Sequence, residues 1–402
     1  MSAQRQTSDP LVSTRPGNAA RSEAAKTVLI YRDELLPTSE TFIQTQAAGL
    51  QRYRARYVGV VRSSPSLPNL EDAVLAIPPA HPSFKTLRIG FYYKTGFAPR
   101  FYREIAASGP SLIHAHFAAS GQNALRLARR LGVPLIVTLH GYDVTVARDY
   151  RAFLGQLWKD ASAFICVSDA IRQKALEVGF PEDKLRVLYN GISLVPSPPT
   201  YKEPGMILFV GRLVEKKGCS YLLRAMRAVA EKCPEARLIL IGDGPLLAEL
   251  KKEANELRVP CDFLGSQPKH IVRRYQERAS IACVPSVTAS NGDSEGLPTV
   301  VLEAMRVGAM VVATNHSGIP EAVVDRSTGL LVPEKSSDAL AEALIEAIQN
   351  EDLRKHCVRQ SLVSLEARFD AVKQAALLEQ IYDEVIHAHR SDLSRRGALR
   401  TG

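Results

Sequence analysis

The run Glu295-Gly-Leu-Pro-Thr-Val-Val-Leu-Glu303 decides how this chain reads. Pro298 has its φ preset for a first helical turn, where its missing N–H costs nothing. Gly296 lets the backbone come close to a ligand. The residues around them, Gly296, Leu297 and Pro298, then lead into a helix whose first amides point free N–H groups into a cleft. The positive end of the helix stands behind those amides, which makes an anion site suited to a diphosphate. Glu295 precedes the helix and Glu303 lies more than one turn inside it. A carboxylate beside a phosphate repels it, so both acids read as acceptors of hydrogen bonds from hydroxyls. Phosphates together with many hydroxyls describe a sugar nucleotide.

Outward from this run, short apolar stretches alternate with helix-length amphipathic ones along the whole chain. Leu135–Leu139, Phe164–Val167, Leu238–Ile241 and Ile281–Val284 are examples. They are continuous in Val, Ile and Leu, as expected of strands buried on both faces of a parallel sheet. The alternation predicts an α/β fold of two facing Rossmann-like domains with a central cleft. A proline-rich stretch near Leu194–Pro204 divides them. The expected organisation is a disordered tail over 1–24, a first domain over 25–195, a linker over 196–204, a second domain over 205–370, and a helix and tail over 371–402. That last helix has two possible docking sites, the second domain or the first.

The unusual residues of the second half follow strand ends. Gly211-Arg212 follows Val210, Gly242-Asp243-Gly244 follows Ile241, and Gly265 follows Leu264. Open parallel sheets bind ligands beyond the carboxyl ends of their strands. Gly211, Gly242, Asp243 and Gly265 are therefore candidate binding residues. Arg212 and Lys217 share one strand-end loop and can neutralise a leaving diphosphate. A charge-assisted hydrogen bond is worth about 1.5–3 kcal/mol against about 0.3–1 kcal/mol for a helix dipole, so the cations matter more. Lys216 reads as the exposed neighbour. In the first half, His140-Gly-Tyr-Asp143 ends a buried strand, and His140 and Asp143 are candidates for contact with the sugar and the reacting centre. The competing reading of His140 is a core or capping histidine. His114 and His116 share a strand face, but a metal needs more ligands than the spacing shows. No serine elbow, P-loop or GxGxxG signature is present, which argues against acyl hydrolysis, NTP hydrolysis and hydride transfer.

The 402 residues suffice for two cores. No apolar run of about 18 residues occurs, and Met1 to Ala24 lacks the apolar stretch of a secretory signal. The six cysteines are scattered, as buried thiols of a reducing cytoplasm would be. The net charge of +9 lies wholly in residues 1–200, with 24 Lys and Arg against 15 Asp and Glu; the rest holds 27 of each. Arg52, Arg54, Arg56 and Arg62 are followed by Lys85, Arg88, Lys94 and Arg100 among Phe84, Phe91, Tyr92, Tyr93 and Phe97. Such a surface suits an anionic membrane face or a polyanionic acceptor, or serves solubility alone. No nucleic-acid-binding motif is seen, and nucleic acid is not expected as a partner.

These residues resemble the retaining glycosyltransferases of family 4, with the GT-B architecture. The resemblance is carried by Gly211-Arg212…Lys217-Gly218, Gly242-Asp-Gly-Pro245, Glu295-Gly-Leu-Pro298…Glu303-Ala304 and Gly318-Ile-Pro-Glu321. It implies that Arg212 and Lys217 hold the donor diphosphate, that Glu295 binds hydroxyls of the donor sugar and Glu303 the ribose, and that His140 lies near the reacting bond. It further implies front-face departure of the nucleoside diphosphate, with retention and without a metal or other cofactor. In the first half, Leu36-Pro-Thr-Ser-Glu-Thr-Phe-Ile43, Ile113-His-Ala-His-Phe117 and Thr138-Leu-His-Gly-Tyr-Asp143 resemble enzymes that build bacterial exopolysaccharides such as colanic acid and amylovoran. Many relatives carry a glycine-rich loop where this chain has Pro37-Thr-Ser-Glu-Thr41. The expected function is transfer of a hexose from a UDP- or GDP-sugar to a glycan or lipid-linked oligosaccharide by a cytoplasmic protein at the inner membrane face. A sugar-nucleotide epimerase on the same fold would turn over donor without acceptor. A non-catalytic binding protein would not need the set Arg212, Lys217, Glu295, Glu303 and His140.

Overall fold

The computed structural model describes residues 25–37, 39–78, 82–146, 150–194 and 201–401. Among the described residues thirteen strands form two sheets, and every pairing within them is parallel. The first sheet holds β1 (Lys26–Leu35), β2 (Tyr53–Arg62), β3 (Val74–Leu75), β4 (Pro110–His116), β5 (Leu135–Leu139), β6 (Ala163–Cys166) and β7 (Leu185–Val187) in the order β3-β2-β1-β4-β5-β6-β7. The second holds β8 (Glu203–Val210), β9 (Arg237–Ile241), β10 (Cys261–Phe263), β11 (Ala279–Val284), β12 (Met310–Thr314) and β13 (Gly329–Val332) in the order β10-β9-β8-β11-β12-β13. The strand order reverses beside β1 in one sheet and beside β8 in the other. A crevice opens at such a point beyond the strand ends.

Helices cover both faces of each sheet, so the central strands are buried throughout. Every residue of β5, β11 and β12 is buried, which is why these strands carry no polar alternation. Local signals place the helices between them. Ser168 caps the helix Asp169–Val178 by accepting from the Ile171 amide at 3.2 Å, and Gly179 ends it in the left-handed conformation. Pro298 stands one residue before the helix Thr299–Arg306, with φ −63° as the ring dictates.

The helix Ala371–Thr401 docks on the first sheet. Leu378, Tyr382 and Ile386 join the core of Val28, Ile30 and Leu112. Glu379 accepts from the amides of Gln51 and Arg52, each at 2.7 Å, and pairs with the Arg52 guanidinium at 3.0 Å. Two expectations change here. Glu203 and Pro204, assigned to the linker, already belong to β8; residues 195–200 and the tail 1–24 lie outside the described residues. The basic stretch is also partly used inside the fold. Arg52 pairs with Glu379 and Asp383, Arg56 pairs with Glu104 at 2.9 Å, and Arg62 donates to the Leu70 carbonyl. Tyr92 is buried in the core, and the side chain of Phe84 lies outside the described residues. What stays on the surface is the apolar face of the helix Pro82–Thr95 and the turn after it, with Leu87 71%, Phe91 56% and Phe97 67% exposed beside exposed Lys85, Arg88, Lys94 and Arg100.

Candidate active site

A cleft of about 1670 Å³ runs between the carboxyl ends of the two sheets. Arg212 enters it from the loop after β8. Lys217 sits at the end of a short 3-10 turn, Glu215–Lys217, before the helix Cys219–Lys232. Gly242 and Asp243 follow β9, and Glu295, Gly296, Leu297, Pro298 and Glu303 come from the segment between β11 and β12. Across the cleft, His140 and Asp143 follow β5. The structure thus brings together the candidates drawn from both halves, with one exception. Gly265 does not line the cleft; its carbonyl accepts from the Gly242 amide at 2.9 Å and so shapes the turn that does.

The second-domain wall is built to hold an anion. Among the described residues, the Arg212 guanidinium makes no ion pair or hydrogen bond, and the amides of Leu297, Thr299 and Val300 donate to no protein acceptor. Those amides open the helix Thr299–Arg306, whose dipole adds to them. Lys217 Nζ lies 3.2 Å from Glu295 Oε2, and Lys216 Nζ lies 3.7 Å from Glu295 Oε1 and 3.1 Å from Asp293. Lys216 is 21% exposed and Lys217 17%. Lys216 is therefore a wall residue, not the exposed neighbour expected from the sequence. The 3-10 turn packs both lysines toward the loop that carries Glu295.

Burial pushes the Glu295 carboxyl up, but Lys217, Lys216 and His316 outweigh it and hold it below the usual carboxylate range. Glu295 is thus ionised at neutral pH, a hydrogen-bond acceptor kept between two ammonium groups. Oε1 has no hydrogen-bond partner among the described residues. The loop behind it is fixed by residues that sequence reading missed. His316 Nε2 accepts from the Glu295 amide at 3.1 Å, and His316 Nδ1 meets Glu334 at 2.7 Å. An accepting Nε2 places the ring proton on Nδ1. Ser317 Oγ donates to the Glu295 carbonyl at 2.6 Å. His316 follows β12 just as Arg212 follows β8, so the strand-end rule applied once more would have found it. Glu303 accepts from Gln276 Nε2 at 2.9 Å, which leaves one carboxylate oxygen for another donor.

The facing wall meets this loop closely. A Cβ on Gly296 would stand 2.7 Å from Val167 and 2.9 Å from the His140 carbonyl. Gly296 therefore serves the approach of the two domains as much as that of a ligand. Gly141 has φ +119°, and a Cβ there would stand 2.8 Å from the Ser294 carbonyl. Asp143 accepts from the amides of Ala118 at 2.6 Å and His140 at 2.8 Å. It shapes the strand-end turn that presents His140. His140 itself lies between Phe42 and Phe117, with ring centroids 4.7 and 4.6 Å away. Burial, with His114 and Arg32 nearby, pushes its pKa down to about 3, so the ring is neutral. Arg32 pairs with Glu40 at 2.9 Å and stacks 4.4 Å above the Phe117 ring. Glu40 belongs to the Leu36–Ile43 run that the sequence singled out without giving this acid a role; Thr38 lies outside the described residues.

Two facing parallel-sheet domains with a polar cleft along their strand ends define the GT-B architecture. The structure of HepE from Anabaena in complex with UDP and glucose superposes with a TM-score of 0.71 at 18% identity, covering 89% of this chain and 100% of that one. The pattern of the glycosyl transferases group 1 matches residues 194–362, and that of glycosyltransferase family 4 matches residues 39–195. A putative colanic acid biosynthesis glycosyltransferase of Escherichia coli is 35% identical over 242 residues, 57% of this chain and 59% of that one. The chain thus spans about three-fifths of the length of that relative. A putative teichuronic acid biosynthesis glycosyltransferase of Bacillus subtilis is 31% identical over 293 residues, 69% of this chain and 71% of that one. The chain belongs to the group 1 and family 4 glycosyltransferases.

Proposed function

We propose that this protein is a retaining, metal-independent hexosyltransferase. It takes a sugar from a UDP- or GDP-sugar and passes it to a glycan or lipid-linked oligosaccharide in exopolysaccharide assembly. The observation that carries the reading is the second-domain wall: the unpaired Arg212 and the open amides of Leu297, Thr299 and Val300 beside a Glu295 kept ionised by two lysines. The cations and amides take the diphosphate, and the carboxylates take hydroxyls. Glu295 takes those of the sugar and Glu303, deeper in its helix, those of the ribose. His140 faces the sugar from the other domain. The colanic-acid relative supports the exopolysaccharide setting, and HepE, crystallised with UDP and glucose, supports the donor class.

The first domain takes the acceptor in this reading. Its exposed Leu87, Phe91 and Phe97, set among Lys85, Arg88, Lys94 and Arg100, rest on an anionic membrane face, where a lipid-linked acceptor is presented. The protein works on the cytoplasmic side, where nucleotide sugars are made. Among the described residues no helix is long and apolar enough to cross a membrane; the contact in this reading is peripheral. A panel of UDP- and GDP-sugars, read by protection against thermal unfolding, tests the donor. A ligand at a hundred times its Kd stabilises by about 2.7 kcal/mol. One base and one sugar should stand out, and no protection by any of the panel would remove the reading.

A further inference from the structure

His140 is the end of a buried file of histidines. Ala115 separates His114 and His116 along β4, and the period of two puts both on one sheet face; His140 follows the end of β5. The His114 and His116 rings stack at 4.5 Å, and the His116 and His140 rings lie within 22° of parallel with centroids 5.4 Å apart. His114 Nδ1 lies 2.7 Å from the Tyr382 hydroxyl of the terminal helix, and its Nε2 lies 2.6 Å from Thr138 Oγ1. His116 Nδ1 lies 3.1 Å from His140 Nε2, and His116 Nε2 is sealed from solvent without a partner among the described residues.

One hydrogen occupies the His116–His140 contact, and two arrangements supply it. In one, His140 Nε2–H donates to His116 Nδ1. The proton of His116 must then sit on Nε2, an N–H donor buried with nothing to accept it. In the other, His116 Nδ1–H donates to His140 Nε2, and the sealed Nε2 is a bare lone pair. Orphaned buried N–H groups are the rarer and costlier of the two. Both rings are neutral, since burial holds them far below the ordinary histidine value, so each carries one ring proton.

We propose that His116 is a positioning residue that fixes the tautomer of His140 with the proton on Nδ1. His140 Nδ1 has no partner among the described residues, and His140 lines the cleft. The inference rests on the donor-site reading above and gives His140 a definite chemistry. It presents an N–H donor to an oxygen of the bound sugar nucleotide, and it has no lone pair on that nitrogen with which to act as a base. The stacked His114, held by Tyr382 and Thr138, keeps the His116 ring in plane for this bond.

The test uses the full chain labelled with 15N-histidine. Two-bond 15N–1H correlations distinguish the tautomers, and the His140 signals are those lost in His140→Ala. Wild-type His140 should be protonated on Nδ1. His116→Asn keeps an N–H near the Nδ1 position and should preserve that tautomer, while His116→Phe keeps the stacking and should leave His140 mixed. Turnover of the sugar nucleotide that gives thermal protection should fall about tenfold or more in His116→Phe and by much less in His116→Asn, with UDP or GDP protection unchanged in both. A wild-type His140 protonated on Nε2, or a His140 tautomer indifferent to His116→Phe, would overturn the proposal. If His116→Phe does not fold, the wild-type and His116→Asn spectra still decide. Absence of sugar-nucleotide turnover in the wild type would remove the donor reading and leave the tautomer result standing.

Discussion

Arg212 and Lys217 are assigned to the same diphosphate, yet the structure gives them different histories before it arrives. Arg212 is exposed and its side chain has no partner among the described residues, whereas Lys217 is paired with the buried Glu295 at 3.2 Å. Removing Arg212 therefore takes away only the bond to the ligand. A charge-assisted hydrogen bond of about 1.5–3 kcal/mol corresponds to a loss of about 10- to 150-fold in nucleoside diphosphate affinity. Arg212→Ala should show this loss and melt within a degree or so of wild type when no ligand is present. Lys217→Ala should lose affinity by a similar factor, and in addition leave Glu295 with the more distant Lys216 at 3.7 Å. Breaking a buried pair costs about 3–5 kcal/mol when nothing else compensates. With Lys216 remaining, about 3 kcal/mol is expected, a fall of roughly 5–10 °C in Tm. Calorimetric titration with UDP and GDP gives the affinities, and scanning calorimetry of the free proteins gives the stabilities. Equal destabilisation by both substitutions would show that Arg212 is a structural residue. An affinity change below fivefold in Arg212→Ala would remove it from the diphosphate site.

Three further outcomes are expected. On the proposed reading, in which cations and helix amides neutralise the diphosphate, transfer should persist in excess EDTA; loss of activity restored by Mg²⁺ or Mn²⁺ would show otherwise. His114 and His140 are pushed down to about 3, mainly by burial, so between that value and the ordinary 6.5 the unfolded chain binds more protons than the folded one. Their stabilisation is complete above pH 6.5 and is lost as the pH falls, by about 2 kcal/mol between pH 6 and pH 5 for the two together; a urea midpoint constant from pH 7 to pH 5 would contradict this. Replacing Lys85, Arg88 and Lys94 with Gln should weaken sedimentation with anionic vesicles at low salt by about 1 kcal/mol per residue and leave nucleotide affinity unchanged; unaltered vesicle binding would take this helix out of the membrane contact.

The sheets and the second-domain wall were legible in the chain because their signals are local. Continuous apolar runs such as Leu135–Leu139 mark buried parallel strands, and glycine or arginine just past a run marks a binding end. β3, two residues long, is too short to carry a pattern. The wall residues supplied by distant loops were not legible. His316 stands at a legible strand end, but nothing in a lone histidine announces that it accepts from the Glu295 amide twenty-one residues before it. Lys216 and Lys217 are adjacent and chemically alike, and only the turn that folds them decides that both approach Glu295. The basic run after Gln51 misled for a related reason. Charge along the chain says nothing of the terminal helix that returns to bring Glu379 and Asp383 against Arg52.

That returning helix also bears on how two domains share one site. The wall with Arg212 and Glu295 belongs to the second domain and His140 to the first, so their register has to be held by contacts outside the cleft. Glu321, from the Gly318-Ile-Pro-Glu321 turn after β12, supplies one of them. It accepts from the amides of Asp169 at 2.9 Å and Ala170 at 3.0 Å, which open a helix of the first domain, and from the Tyr189 hydroxyl at 3.0 Å. A carboxylate of one domain thus caps a helix of the other, where the helix dipole favours it. Arg368 closes the contact by donating to the Glu321 carbonyl at 2.8 Å and to the Tyr189 hydroxyl at 3.1 Å. Two residues further on, Asp370 bridges to Ile192, and the chain then enters the helix that carries Tyr382 to His114. The same crossover segment therefore touches the interdomain cap at one end and the histidine file at the other, and the position of His140 opposite Glu295 depends on both.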